Sequence, residues 1–143
     1  MERNLVSTTA MSPDKAARLR SHMERYFPDA MVTDYEGLID AMPNDPKDRH
    51  VAAAVVQSGA KVIVTANLRD FETLPEGIEA QSPDAFLCHL FDLDPRGFVA
   101  LLREQAGDLR NPPLSFEDLL GRLERMVPEL AAMARAVHDD QAR

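Results

Sequence analysis

The sequence predicts an α/β domain in which a short parallel sheet lies between layers of helices. Two observations support this prediction. An Ala-rich helix signal at residues 46–58 leads through Gly59 into the β-branched run at residues 61–65, and a helix joined directly to an apolar strand is half of an α/β unit. Later segments begin with Ser-Pro-Asp or Asp-Pro, which are helix start signals, so helices should fill most of the remaining chain.

The composition is that of one folded domain. Of the 143 residues, 45% are hydrophobic and 28% are charged, which provides a core and excludes a disordered chain. The formal net charge of −8 is unexpected for a protein that binds nucleic acid, because phosphate contacts need basic side chains. Either a local basic patch or a basic protein partner would account for this charge.

The single cysteine and the absence of long apolar runs exclude several classes of protein. Cys88 cannot form an internal disulfide or a Cys-based zinc site, and we interpret it as a small core residue. Charges are spread through the first twenty residues, and no run reaches the roughly eighteen apolar residues of a membrane span. We therefore expect a cytoplasmic protein without a membrane segment.

The first third of the chain predicts short elements. Residues 1–9 have the pattern of a helix remnant, and Ser12 caps a helix that runs to about Tyr26. Residues 30–33 are a candidate strand, and residues 35–42 a short helix.

The central segment carries the polar residues of greatest interest. Asp45 is placed to cap the helix at residues 46–58, and Asp48 falls at its third position. In an α/β layer this helix end lies at the same edge of the sheet as the carboxyl end of the strand at residues 61–65. We therefore expect Asp48 to approach Asn67 and Asp70, within about one metal-bridged span, and oxygen ligands of this kind suit Mg²⁺. The alternative is that Asp48 only stabilises the helix end and Asp70 only shapes a turn.

The second half of the chain is predicted to be mainly helical. An edge strand at residues 78–81 precedes helices at residues 83–91 and 95–109, and Ser115 with Asp118 forms a capping box. An apolar stripe then follows one helix that Pro128 should kink, and residues 138–143 should form a frayed tail. The stripe packs on its own domain, or it forms a dimer seam or a groove for a partner helix. Its members are Leu119, Leu123, Met126, Leu130, Met133 and Val137.

The central segment resembles the PIN-domain family, which includes the VapC-like ribonuclease toxins of bacterial toxin–antitoxin pairs. The family pattern is an Asp that opens an Ala-rich helix, a Gly, a strand ending in Val-Thr, and an Asp before Phe. Asp48, Gly59, Thr65 and Asp70 stand in those places, and the similarity continues through Asn111 into the C-terminal helix. The resemblance implies a three-layer, Rossmann-like domain at residues 1–110, with a helical extension at residues 111–143 that packs on it.

The resemblance implies a site and an activity. The implied activity is Mg²⁺- or Mn²⁺-dependent hydrolysis of RNA, with Asp48 and Asp70 as metal ligands and catalytic residues. Asn67 and Thr65 would complete the catalytic set. RNA would be the substrate, an antitoxin protein a possible partner, and the basic residues beside the site would bind substrate. These are Lys47, Arg49 and Arg69.

Two departures from the family pattern predict weak activity or none. Many PIN domains have an Asp two residues after the strand Thr, where this chain has Asn67. The family's first strand with its Asp, and the Glu that follows, have no counterpart, unless Glu2 substitutes for the Glu. A missing strand would expose the edge of the strand at residues 61–65 and favour a homo-oligomer. The alternative function is a non-catalytic PIN-like module that binds a protein partner.

Overall fold

The computed structural model describes residues 12–109 and 114–143, which divide into two compact units. The first unit contains residues 12–60 and the second contains residues 61–109 and 114–143. The helix remnant predicted at residues 1–9, Glu2 and Asn111 lie outside the described residues. The predicted domain boundary at residue 110 also lies there and stays a prediction.

The first unit consists of two α-helices joined by 3₁₀ turns. Helix α1 is Pro13–Tyr26, and the Ser12 side chain caps it by accepting from the backbone N–H of Lys15 at 3.3 Å. The 3₁₀ turns are Pro28–Ala30, Glu36–Ala41 and Pro46–Asp48. Helix α2 is Arg49–Ser58, and it ends at Gly59 in the left-handed conformation, with φ of 75°.

The strand predicted at residues 30–33 is wrong. A 3₁₀ turn occupies Pro28–Ala30, and Asp34 has a positive φ of 62°, which turns the chain before a strand can form. The helix predicted at residues 35–42 is the 3₁₀ turn Glu36–Ala41, and the first turn of the helix predicted at residues 46–58 is also 3₁₀. Short local signals do not distinguish these two kinds of helix.

A two-stranded parallel sheet opens the second unit. Strand β1 is Val62–Val64 and strand β2 is Glu79–Gln81, with Ile63 opposite Ala80. Both strands were predicted, and the short parallel sheet with its many helices confirms the α/β class. Ile63 is 5% exposed but Val64 is 44% exposed, so β1 is less buried than its apolar sequence predicted.

Four helices form the rest of the second unit and its core. They are α3, Pro83–Leu93; α4, Pro95–Asp108; α5, Phe116–Glu124; and α6, Pro128–Gln141. Ser115 and Asp118 form the predicted capping box. All four helices contribute to one buried cluster, in which Val99, Leu120 and Leu130 are fully buried. The C-terminal apolar residues therefore pack mainly against α3 and α4.

The structure corrects two predictions for the last helix. Pro128 does not kink a continuous helix, because α5 ends at Glu124 and Pro128 is the first residue of α6. The backbone N–H at the first position of a helix has no intrahelical acceptor, so a proline there loses no hydrogen bond. Met126 lies in the break and is 80% exposed, so it leaves the apolar stripe. The predicted frayed tail at residues 138–143 is wrong as well, since α6 continues to Gln141.

Asp84 caps helix α6 from helix α3. The residue before α6, Val127, has no side chain that can cap, and two free backbone N–H groups of α6 are bonded by Asp84 instead. Glu129 donates to Asp84 Oδ2 at 3.0 Å and Leu130 donates to Oδ1 at 2.9 Å. Cys88 lies beside this carboxylate, and its pKa is raised mainly by burial and further by Asp84. The thiol is therefore protonated at neutral pH, as expected of a core residue.

Replacing Asp84 with alanine should lower the free energy of unfolding by about 1–2 kcal/mol, since it removes a cap and leaves two helix donors without their acceptor. Asp84→Asn keeps one oxygen and should cost less. Urea unfolding monitored by circular dichroism measures both, with Asp92→Ala on the exposed part of α3 as the control. Equal stability of Asp84→Ala and this control would contradict the capping role.

Candidate functional site

The turn after strand β1 brings three of the predicted site residues together. Thr65 directly follows the strand, and its backbone N–H donates to the carbonyl of Gln81 at 2.9 Å. The Thr65 hydroxyl accepts from the backbone N–H of Asn67 at 3.0 Å. The 3₁₀ turn Leu68–Phe71 then brings Asp70 next to Asn67, whose side-chain amide donates to Asp70 Oδ2. This hydroxyl, amide and carboxylate therefore lie in one turn at the carboxyl end of a parallel strand.

The bond from Asn67 to Asp70 has a chemical consequence. An amide N–H stabilises the charged form of a carboxylate, whereas a second acid at this position would repel it. The Asn67 oxygen is directed away from Asp70 when its nitrogen faces that residue, so it can serve as a neutral oxygen ligand. The turn thus presents hard oxygen donors with one negative charge instead of two.

The start of helix α2 holds the other predicted acid. Asp45 Oδ1 accepts from the backbone N–H of Lys47 at 3.1 Å, which confirms Asp45 as the cap of the first turn. Asp48 immediately precedes α2, but its side chain makes no capping hydrogen bond there. Its Oδ2 atom lies 2.8 Å from Lys47 Nζ instead, and the Asp48 side chain is only 24% exposed. Asp48 is therefore a half-buried carboxylate that does not cap the helix.

The predicted substrate-binding cations have separate positions. Lys47 pairs with Asp48, and Arg49 donates from Nε to the backbone carbonyl of Asn44 at 3.0 Å. Arg69 is exposed in the turn between Asn67 and Asp70. Lys47 and Arg49 thus belong to the start of helix α2, in the first unit, and Arg69 to the strand-end turn, in the second.

Asn44 is a polar residue that the sequence reasoning missed. It is 4% exposed, and neither its side-chain oxygen nor its nitrogen has a hydrogen-bond partner in the described residues. A buried amide without partners is costly, and an ordered water is the usual solution. No local pattern distinguishes this asparagine from one in an exposed turn.

A second group of potential metal ligands lies on helices α5 and α6. Ligand atoms of Glu117, His138 and Asp139 lie within 4.8 Å of one another. Two guanidinium groups already contact this group: Arg135 lies 3.4 Å from Glu117 Oε2, and Arg103 Nη2 donates to His138 Nδ1 at 2.7 Å. These positive charges oppose a cation, so we assign no metal to this group.

The donors in the predicted site fit a hard divalent ion. Asp48, Asp70, Asn67 and Thr65 offer oxygen atoms, the ligands that Mg²⁺ and Mn²⁺ take in proteins. Asp48 and Asp70 belong to different units of the structure, so the separation predicted for their carboxylates stays a prediction. Within the described residues, no helix is long and apolar enough to cross a membrane.

Comparison with known proteins supports the resemblance seen in the sequence. The family model of the VapC50 C-terminal domain matches residues 83–136, which span helix α3 to most of helix α6. The protein described as "Putative ribonuclease VapC50" from Mycobacterium tuberculosis (strain ATCC 25618 / H37Rv) is 40% identical over 109 residues. The match covers 74% of this chain and 64% of that relative, so the chain spans less than two thirds of its length. No solved structure gave a significant match.

The two matches agree with the motif in the central segment. One covers the C-terminal helices, and the other extends over most of the chain at an identity well above what unrelated proteins share. Together, the family model and the relative support a VapC-like PIN-domain family for this chain.

Proposed function

We propose that this protein is a metal-dependent endoribonuclease of the PIN type, whose activity in this chain is weak. The observation that carries the proposal is the strand-end turn, where the Asp70 carboxylate accepts from the Asn67 amide and Thr65 holds the backbone of Asn67. The curated relative is described as a ribonuclease, which supports RNA as the substrate class.

Each site residue has a proposed role. Asp48 and Asp70 would hold Mg²⁺ or Mn²⁺, with Asn67 as a neutral ligand or as the group that orients a water. When bound, such an ion supplies an activated water and neutralises charge on the phosphate. Thr65 fixes the backbone of the turn through its hydroxyl, and the Asn67 amide orients the Asp70 carboxylate through its hydrogen bond.

The basic residues near these carboxylates are proposed to bind the RNA backbone. Lys47 and Arg49 flank Asp48 in sequence, and Arg69 precedes Asp70. Lys47 also neutralises Asp48 when no metal is present, at an N···O distance of 2.8 Å. With a net charge of −8 for the whole chain, these few cations limit affinity for RNA and make it strongly dependent on salt.

The proposed weakness of the activity rests on the number of carboxylates. Asn67 stands where many PIN domains have an acid, so the strand-end turn has one carboxylate fewer. A lower negative charge reduces affinity for a divalent ion. Glu2 lies outside the described residues, so its contribution to the site stays a prediction.

Two kinds of protein partner are proposed as well. Among the described residues β1 has a single strand partner, and Val64 is 44% exposed, which supports a homo-oligomer that covers this edge. An antitoxin protein is proposed from the family. A non-catalytic interaction module is the second candidate function, and the exposure of Leu93 and Met126, 81% and 80%, favours it.

Replacing Asp48 with asparagine tests the proposed function. Mn²⁺ should raise the melting temperature of the wild-type protein, and the variant should lose most of this increase, because a ligand charge is gone. Without metal, the free energy of unfolding of the variant should lie within about 0.5 kcal/mol of the wild type. The Lys47 side chain is exposed, and ion pairs with an exposed partner contribute little to stability. Any cleavage of single-stranded RNA should require Mn²⁺ and be reduced in the variant.

Asp45→Asn is the matched control, since Asp45 caps the first turn and an asparagine still caps. An equal Mn²⁺-induced increase in melting temperature for Asp48→Asn and the wild type would contradict the role of Asp48. Cleavage that continues unchanged in EDTA would contradict metal dependence.

A further inference from the structure

A cavity of about 380 Å³ lies directly beside the strand-end turn. Leu68 and Phe71 line it and belong to the same 3₁₀ turn as Asp70. Leu74, Ile78 just before strand β2 and Ala80 in that strand also line it. The cavity is therefore next to the residues that we propose for catalysis, and all of its lining belongs to the second unit.

The chemistry of the lining excludes a phosphate and favours a flat, weakly polar group. Five of the seven lining residues are apolar, and none is basic. The remaining two are Glu72 and Glu79, whose carboxylates accept hydrogen bonds but cannot donate them. A ligand for this cavity therefore has apolar faces and an edge that carries N–H donors.

One of the two carboxylates is held in place. Gln81 donates from Nε2 to Glu79 Oε1 at 2.5 Å, and the Gln81 oxygen lies 3.2 Å from His89 Nδ1. Among the described residues no side chain donates to Glu79 Oε2, and the carboxylate of Glu72 makes no hydrogen bond or ion pair with a described side chain. Both glutamates are exposed at the cavity and can accept from a bound molecule.

We propose that this cavity is a nucleobase subsite that prefers guanine, and this inference rests on the proposed ribonuclease function. Unstacked bases of single-stranded RNA are recognised by apolar contact with their faces and hydrogen bonds to their edges. Guanine presents N1–H and an amino group side by side, which a carboxylate can bind with both oxygens. Adenine and cytosine offer an amino group beside an acceptor nitrogen, and uracil offers a single N–H between two carbonyls.

Binding of neutral nucleosides to the full chain tests this subsite without metal, phosphate or catalysis. Guanosine should bind at least about fivefold more tightly than uridine, as expected for one good pair of base-edge hydrogen bonds. Chemical-shift changes of the Leu68, Ile78 and Ala80 amides in an NMR titration locate the binding and give the dissociation constants. Equal binding of the two nucleosides, or shifts confined to other residues, would overturn the proposal.

Substitutions at the glutamates separate recognition from folding. Glu79→Gln and Glu72→Gln should each reduce the guanosine preference, because an amide presents one acceptor and no charge. Glu76→Gln is the matched control, since Glu76 lies in the same loop outside the cavity lining and should keep the preference. A guanosine preference that survives both cavity substitutions would overturn the role of the carboxylates.

Two further experiments distinguish the nucleobase subsite from the proposed ribonuclease function and from a peptide-binding site. Asp48→Asn should lose Mn²⁺ binding but keep the guanosine preference, so failure of the ribonuclease proposal and failure of the subsite give different results. A short peptide with a leucine between two lysines probes a protein partner at the same cavity. Binding of this peptide without any binding of guanosine would show a peptide site and overturn the nucleobase proposal.

Discussion

Replacing Leu130 with alanine should lower the free energy of unfolding of the helical core by about 2–5 kcal/mol. Leu130 is 1% exposed and belongs to the same buried cluster as Val99 and Leu120, which are fully buried as well. Truncation there removes apolar contacts and leaves a cavity that the three other core helices can close only in part. A loss of this size is a large fraction of the stability of a small domain.

Urea unfolding followed by circular dichroism measures this loss, and Leu101→Ala is the matched control. Leu101 is the same residue type on helix α4 but is 65% exposed, so its truncation should change stability by no more than about 0.5 kcal/mol. A loss for Leu130→Ala as small as that of the control would mean that helix α6 does not pack into the core as described.

The parts of the fold that the sequence predicted correctly depend on contacts between residues close in the chain. Ser12, Ser82 and Ser115 each accept from a backbone N–H three residues later, and each begins a helix where it was expected. Gly59 ends helix α2 in the left-handed conformation that suits glycine. These signals act within one helical turn, so a single sequence contains all of their information.

The sequence predictions were wrong or incomplete where the structure depends on contacts between distant residues, or where another local effect overrides the pattern. Asp84 looks like an ordinary acid in a first helical turn, yet it caps a helix that begins more than forty residues later. The β-branched pattern at residues 30–33 suggested a strand, but the turn at Pro28–Ala30 and the positive φ of Asp34 prevent one. Spacing alone also could not decide whether Pro128 kinks a helix or begins one.

In the candidate site too, contacts between neighbouring residues could be predicted from the sequence, and contacts between distant residues could not. Asn67 and Asp70 are three residues apart, and their hydrogen bond could be anticipated from a turn after a strand. The pairing of Lys47 with Asp48 is also local. The burial of Asn44 and the approach of His138 to Glu117 depend on tertiary packing, and no pattern in the sequence announces either.

Replacing Asp70 with asparagine should weaken Mn²⁺ binding by about 100-fold while leaving the turn intact. The substitution removes the negative charge that the proposed site places in the strand-end turn. Loss of a residue that only hydrogen-bonds to a metal ligand already lowers metal affinity by about 10–100-fold. The Asn67 amide can still donate to the oxygen that remains at position 70, so we expect stability within about 1 kcal/mol of the wild type.

Calorimetric titration of the purified chain with Mn²⁺ tests the central claim most directly, because it asks whether Asp48 and Asp70 bind a metal at all. We expect one saturable site in the wild type, about 100-fold weaker binding in Asp70→Asn, and unchanged binding in Asp92→Asn, which removes an exposed acid on helix α3. Binding that is equally strong in Asp70→Asn and the wild type, or no binding by the wild type, would contradict the proposed metal site.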